Sequence, residues 1–224
     1  MAELAGLDYL RKGPEKADSL VVLLHGYGAD AADLIGLADP LAPHLPTTAF
    51  VAPDAPEPCR VNPAGRQWFP IPWMDGASQE EAGRSFLRSA EMLDAFLDAV
   101  IAQEGLTPAA AMLLGFSQGT MMALHVAPRR AEPVAGIIGF SGRLLAPERL
   151  QTEARVKPPV LLVHGDADEV VPFASLAESR KALEAAGFDV ESHVSRGVGH
   201  GIAPDGLARA LRFMKQHLPV GKAG

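Results

Sequence analysis

The stretch that decides the fold runs from Ala111 to Val126, AMLLGFSQGTMMALHV. Its opening, Ala111–Gly115, is apolar on both faces, as a strand inside a parallel sheet must be. Gln118–Val126 has the composition of a helix and ends before Pro128. Between them stands Gly115-Phe116-Ser117-Gln118-Gly119. Glycines two residues to either side of a serine leave room for a sharp, strained turn that lifts the hydroxyl above the strand end. The helix N-terminus behind it offers free N–H groups and a partial positive charge. Ser117 is therefore read as a nucleophile rather than an ordinary turn residue. Ser141, in Gly139-Phe140-Ser141-Gly142, matches half of the pattern and has no helix starting directly after it.

Working outward, the runs Leu20–Leu24, Ala49–Val51, Val134–Phe140 and Val160–Val163 are likewise apolar throughout and read as buried strands. Asp189–Val194 alternates more and belongs towards an edge. Asp8–Arg11 reads as an antiparallel edge strand that turns back through Lys12–Asp18. Helices are expected at Asp30–Leu41, Gln79–Gln103, Phe173–Ala186 (ending at Gly187) and Pro204–His217. In Gln79–Gln103, Phe86, Leu87, Ala90, Leu93, Phe96, Leu97 and Val100 form an apolar stripe spaced by three and four. Strands alternating with helices predict an α/β fold: a mostly parallel twisted sheet with helices on both faces. No linker or repeat interrupts it, so residues 1–224 are expected to form one domain with no large cap. The proline-rich segment Pro53–Gly76 shows neither helical nor strand period. A loop of that length is uncommon unless it serves function.

A neutral serine needs a base beside it, and in such a fold the chain order is serine, acid, histidine. His25, His44 and His125 precede the serine or its partners, and His164 leaves little chain before it for the acid. Of those remaining, His193 lies in a strand pattern and His217 in the last helix. His200, in Gly197-Val198-Gly199-His200-Gly201, sits in a loop that can carry it over the sheet edge. The segment His164–Pro172, HGDADEVVP, offers Asp166, Asp168 and Glu169 as the acid. Asp168 stands farther from the strand end, where the loop must curl towards His200; Asp166 is better placed to cap the turn. The acid would hold the imidazole tautomer and stabilise imidazolium.

Negative charge developing on a carbonyl oxygen needs fixed donors. The main-chain N–H of Gln118, directly after the nucleophile, is one candidate. The loop after Leu20–Leu24, His25-Gly26-Tyr27-Gly28-Ala29-Asp30, supplies the other from Tyr27, with Asp30 as helix N-cap.

Composition sets the frame. The chain has 224 residues, 48% hydrophobic and 21% charged, with formal net charge −7 and pI near 5.5. An acidic balance argues against nucleic acid or an anionic membrane as partner. A lone cysteine, Cys59, excludes an intrachain disulfide and fits a reducing compartment; its Pro-Glu-Pro-Cys-Arg setting lacks a strand–helix turn to activate it. The N-terminus lacks the basic and apolar regions of a secretory signal, and no apolar run approaches the ~20 residues of a membrane span. A cytoplasmic location is expected, without membrane insertion. No H-E-x-x-H, C-x-x-C or G-x-x-x-x-G-K-[ST] is present, so neither metal nor organic cofactor is expected.

Four motifs, Leu24–Asp30 (LHGYGAD), Gly115–Gly119 (GFSQG), His164–Pro172 (HGDADEVVP) and Gly197–Ile202 (GVGHGI), together resemble the phospholipase/carboxylesterase family of α/β-hydrolases. The resemblance runs from about Val21 to the last helix. It implies a triad of Ser117, Asp168 and His200, main-chain donors from Tyr27 and Gln118, and hydrolysis of carboxylic esters, lysophospholipids or acyl thioesters. Tyr27 stands where the family often has Leu, and Pro70 stands where an Asp usually follows the Trp-Phe pair. Both tryptophans lie in the proline-rich segment. There Trp68, Phe69, Trp73 and Met74, with Val171 of the acid loop, are expected either to line an acyl pocket or to cover the sheet edge. Exposed aromatics in that segment would also suit a homodimer. Two rivals stay in view: another hydrolase on this fold, such as a peptidase or lactonase, and a catalytically silent ligand-binding protein.

Overall fold

The computed structural model describes residues 1–219. In chain order the strands and helices are β1 (Ala2–Leu4), β2 (Leu7–Lys12), β3 (Ser19–Leu24), α1 (Ala31–Ile35), α2 (Ala38–Leu41), β4 (Thr48–Pro53), β5 (Glu57–Pro58), β6 (Arg66–Gln67), α3 (Pro72–Asp75), α4 (Gln79–Gln103), β7 (Ala111–Phe116), α5 (Gln118–Val126), β8 (Gly136–Phe140), α6 (Pro147–Glu153), β9 (Val160–Gly165), α7 (Ala174–Ala185), β10 (Val190–Ser195) and α8 (Pro204–His217). Eight strands make one sheet in the order β1-β2-β4-β3-β7-β8-β9-β10. Pairing is antiparallel from β1 through β2 to β4 and parallel across the rest.

The apolar runs explain this arrangement. In β3, Leu20, Val22 and Leu24 point into one core while Val21 and Leu23 point into the other. The first core is closed by Leu93, Phe96 and Leu97 of α4, Met122 of α5, and Leu176 and Leu183 of α7. The second is closed by Leu34 and Ile35 of α1, Leu41 of α2, and Phe213 and Met214 of α8. A strand with helices on both faces has no water-facing side, so the alternation of polar residues that marks a one-sided sheet is absent from it. β10 lies at the edge, and its middle residues are only half-buried.

Several expectations are corrected. Asp30–Leu41 is two short helices rather than one. Asp30 caps α1, accepting the Asp33 N–H while the Asp33 side chain accepts the Asp30 N–H. Pro40 has no N–H to continue that helix, so the chain restarts and places Pro40 in the first turn region of α2. β2 is antiparallel as expected but is not the edge, because β1 pairs outside it. Segment 53–76 carries structure: β5 and β6 pair with each other, and α3 is a single turn with Pro72 at its start and Gly76 left-handed (φ 74°) at its end. Neither β1 nor α6 was expected. No helix among the described residues is long and apolar enough to cross a membrane.

Candidate active site

The loops after β3, β7, β9 and β10 leave the same edge of the sheet, the carboxyl end of its parallel strands, where open α/β sheets place ligands. Registers such as Leu24↔Gly115 and Ser195↔Gly165 bring those loop starts alongside one another.

Ser117 follows β7 with φ 54° and ψ −115°, a conformation a non-glycine residue holds only under strain. Its flanking glycines are steric requirements. A Cβ at Gly119 would stand 1.9 Å from the Leu24 carbonyl oxygen, and one at Gly115 would stand 2.3 Å from the Gly119 carbonyl carbon. Thr120 Oγ1 holds the far side of the turn, 2.8 Å from Gly115 O and 2.9 Å from Phe140 O. Gly119→Ala is accordingly expected to cost about 3 kcal/mol or more, because backbone rather than a movable side chain must give way. Gly83→Ala is the control: its Cβ would meet nothing within 4 Å in the second turn of α4, and it is expected to be neutral or to stabilise by up to ~1 kcal/mol. Chemical denaturation of both variants checks the pair.

His200 Nδ1 lies 2.9 Å from Asp168 Oδ2. The other oxygen, Asp168 Oδ1, accepts the N–H groups of Val170 and Val171 at 2.9 and 3.0 Å. Burial pushes the Asp168 carboxyl up, but the hydrogen bonds from His200, Val171 and Val170 outweigh it and hold the group below its ordinary value. Asp168 is thus an anion that can only accept, and His200 Nδ1 carries the hydrogen. Asp166 turns elsewhere and accepts the Gly197 N–H at 2.6 Å; Glu169 is exposed at the cleft. Phe116, beside Ser117, packs its ring against His200 with centroids 4.8 Å apart. No hydrogen bond joins Ser117 to His200 among the described residues. Both line one cleft, and such bonds commonly tighten only with substrate bound.

The N–H groups of Tyr27 and Gln118 donate to no protein acceptor among the described residues, and both residues line the cleft beside Ser117. Gly26 lets the two loops meet: a Cβ there would lie 3.3 Å from Ser117 Cβ. His25 anchors this loop from below. Its Nε2 accepts the Ala55 N–H at 2.9 Å, so its Nδ1 carries the hydrogen given to Gly26 O at 2.8 Å. Burial lowers the His25 pKa and keeps the ring neutral.

The cleft has a volume of about 720 Å³. Phe69, Trp73, Met74 and Val171 line it, as do Ile71 and Met121. Trp68 does not, which corrects the expectation that it belongs to the pocket. It is fully buried, its indole N–H donates to His25 O at 2.9 Å, and its carbonyl accepts the Ser89 hydroxyl. The side chain of Gln118 ties this segment to the serine turn, accepting the Trp68 N–H at 3.1 Å and donating to Phe69 O at 2.8 Å. The reading of the motif assigned Gln118 a main-chain role only. A side chain offering both a donor and an acceptor at the variable position after the serine was the available signal. Asp75 carries no such signal in the sequence. It accepts the Tyr27 hydroxyl at 2.9 Å and the N–H groups of Ile71 and Ala77, fastening α3, with Trp73 and Met74, to the loop after β3. Among the described residues no three His, Cys, Asp or Glu side chains are gathered to hold a metal.

A mostly parallel sheet sandwiched by helices, a strained serine between β7 and α5, and an acid–histidine pair at the same edge define the class: an α/β-hydrolase without a large cap. A profile of the phospholipase/carboxylesterase family matches residues 9–218, and the chain belongs to that family. It is similar to an esterase from Escherichia coli, YpfH, at 30% identity over 218 residues, covering 94% of this chain and 88% of the relative. It is similar to acyl-protein thioesterase 1 of Saccharomyces cerevisiae at 28% identity over 218 residues, covering 91% and 95%. The crystal structure of esterase PE8 superposes with a TM-score of 0.86 and 45% identity, covering 95% of this chain and 99% of that one. The protein is an enzyme that hydrolyses ester bonds.

Proposed function

We propose that this enzyme is a serine carboxylesterase working through an acyl-enzyme, for esters with one hydrophobic arm. The observation that carries the reading is the anionic Asp168 bonded to His200 Nδ1 in the cleft that Ser117 lines. That bond leaves the lone pair on His200 Nε2. Nε2 takes the Ser117 Oγ proton as Oγ attacks the ester carbonyl. The oxygen that becomes negative is received by the unclaimed N–H groups of Tyr27 and Gln118. Imidazolium at His200 then gives its proton to the leaving alcohol, and the C–O bond breaks. Water, deprotonated by His200, attacks the acyl-serine and releases the acid. Phe69, Ile71, Trp73, Met74 and Met121 offer the hydrophobic arm an apolar wall.

A thioester reading is kept beside it, because relatives named acyl-protein thioesterase match over nearly the whole chain. The test is a panel of p-nitrophenyl esters and matching acyl thioesters graded by chain length. Ester turnover with kcat/KM rising over short to medium chains supports the carboxylesterase. A consistent preference for the thioester of equal chain length would replace it. Absence of labelling by a fluorophosphonate probe would remove the serine mechanism altogether.

A further inference from the structure

Two imidazoles stand beside Asp168, and the mechanism above uses one. His164, the penultimate residue of β9, is buried, and its Nε2 lies 2.9 Å from Val171 O and 3.3 Å from Asp168 Oδ2. A carbonyl oxygen only accepts, so Nε2 carries the hydrogen and gives it to Val171 O, with the carboxylate oxygen alongside. We propose that His164 is a positioning residue of the triad, setting the Asp168 carboxylate on His200 and offsetting part of its charge. The inference rests on the serine-hydrolase reading of the same site.

Three features carry it. First, the bond from His164 to Val171 O spans the loop on which Asp168 sits, so the histidine pins the loop's exit to the strand from which it departs. Second, the carboxylate is surrounded: two main-chain N–H groups donate to Oδ1, His200 Nδ1 donates to Oδ2, and His164 Nε2 lies 3.3 Å from that same oxygen. The three hydrogen bonds fix how the carboxylate is turned. Third, the ring is set from its other side, edge-on to Phe173 at 6.2 Å between centroids. Among the described residues the two histidines are the only titratable side chains in hydrogen-bond or ion-pair contact with Asp168. Of its acidic loop neighbours, Asp166 is engaged by Gly197 N–H and Glu169 is exposed at the cleft.

That offset has a consequence with a sign. The His164 N–H dipole, 3.3 Å from Oδ2, offsets part of the charge that His200 feels. Remove the His164 N–H and that offset is lost, so the protonated form of His200 gains stability. The acid limb of the kcat/KM profile then moves to higher pH. The freed loop also holds His200 less well, which lowers kcat.

The experiment measures kcat and KM of the full chain on one p-nitrophenyl ester between about pH 5 and 9, per active site titrated with a fluorophosphonate. His164→Leu removes the donor; His164→Gln returns an N–H near the Nε2 position. For His164→Leu we expect kcat about tenfold lower, KM little changed and the acid limb displaced upward by about half a pH unit. His164→Gln is expected within about threefold of wild type with its limb in place. Should the leucine variant fail to fold, His164→Asn takes its part, because its amide reaches the Nδ1 position and not Nε2, and it is expected to behave as described for leucine. Wild-type kcat and an unmoved limb in the donor-less variant would overturn the proposal. So would equal loss in both variants with the limb unmoved, which marks a packing role alone. Loss of probe labelling in Ser117→Ala tests the underlying mechanism separately: if that variant still labels, the mechanism fails, whereas intact labelling with an unmoved limb removes only the role of His164.

Discussion

Ser117→Ala is expected to lower kcat by about 10⁴- to 10⁶-fold and to abolish fluorophosphonate labelling, with the melting temperature close to that of the parent. The loss is large because nothing else in the cleft can form the acyl intermediate. Cys59 is buried outside it, and Ser141, the nearest sequence imitation, is fully buried behind the turn. The fold should survive because the serine hydroxyl supports no structure. It makes no hydrogen bond to protein among the described residues, and alanine keeps the same Cβ in the same strained turn. Residual turnover would come from the Tyr27 and Gln118 N–H groups polarising a bound ester for attack by water. Single-turnover measurements with labelled-site counts separate this from contaminating esterase. A variant keeping more than about 1% of wild-type kcat would remove Ser117 from the mechanism.

The parts of the molecule that were legible beforehand share a physical cause. Strands buried on both faces must be apolar throughout, so β3, β7 and β9 could be read from composition alone. The serine turn could be read because its glycines are forced: backbone atoms occupy the space where side chains at Gly115 and Gly119 would go. Local rules of this kind act over a few residues. Elements of two to four residues, such as β1, β5 and α3, fall below that scale, since a single turn or ladder leaves no period to detect.

What could not be read depends on contacts between segments far apart in the chain. Trp68 and Trp73 look alike in the sequence, both in a proline-rich stretch. Yet Trp68 is fully buried with its indole on His25 O, while Trp73 is 75% exposed at the cleft. The difference is that Trp68 directly follows β6 while Trp73 stands on the single turn α3, which nothing in residues 68–73 reveals alone. Chain order argues against His164 as the base. Its place beside Asp168 depends on the loop curling back by seven residues to Val171, a closure visible only in space. The choice between Asp166 and Asp168 is of the same type. Position along the loop favoured Asp168, and the contact to His200 Nδ1 is what separates them.

That separation gives the second large effect. Asp168→Asn is expected to lower kcat by about 10⁴-fold without unfolding the chain, and Asp166→Asn to stay within about threefold. The carbonyl oxygen of an asparagine at position 168 is claimed by the Val170 and Val171 N–H groups, which need an acceptor. Its NH₂ must then take the place of Oδ2 and point at His200 and His164. A donor there favours the His200 tautomer with the hydrogen on Nε2, the form that cannot accept the serine proton. The same NH₂ also meets the N–H of His164, whose hydrogen is already required by Val171 O. The site is therefore left with the right shape and the wrong proton. At position 166 the case differs: an asparagine oxygen still accepts from Gly197, and only the charge on one loop hydrogen bond is lost. Rates measured for both variants on one ester, with labelled-site counts, decide between the two carboxylates. The reverse outcome, full activity in Asp168→Asn and collapse in Asp166→Asn, would move the acid to the earlier residue and with it the role drawn for His164.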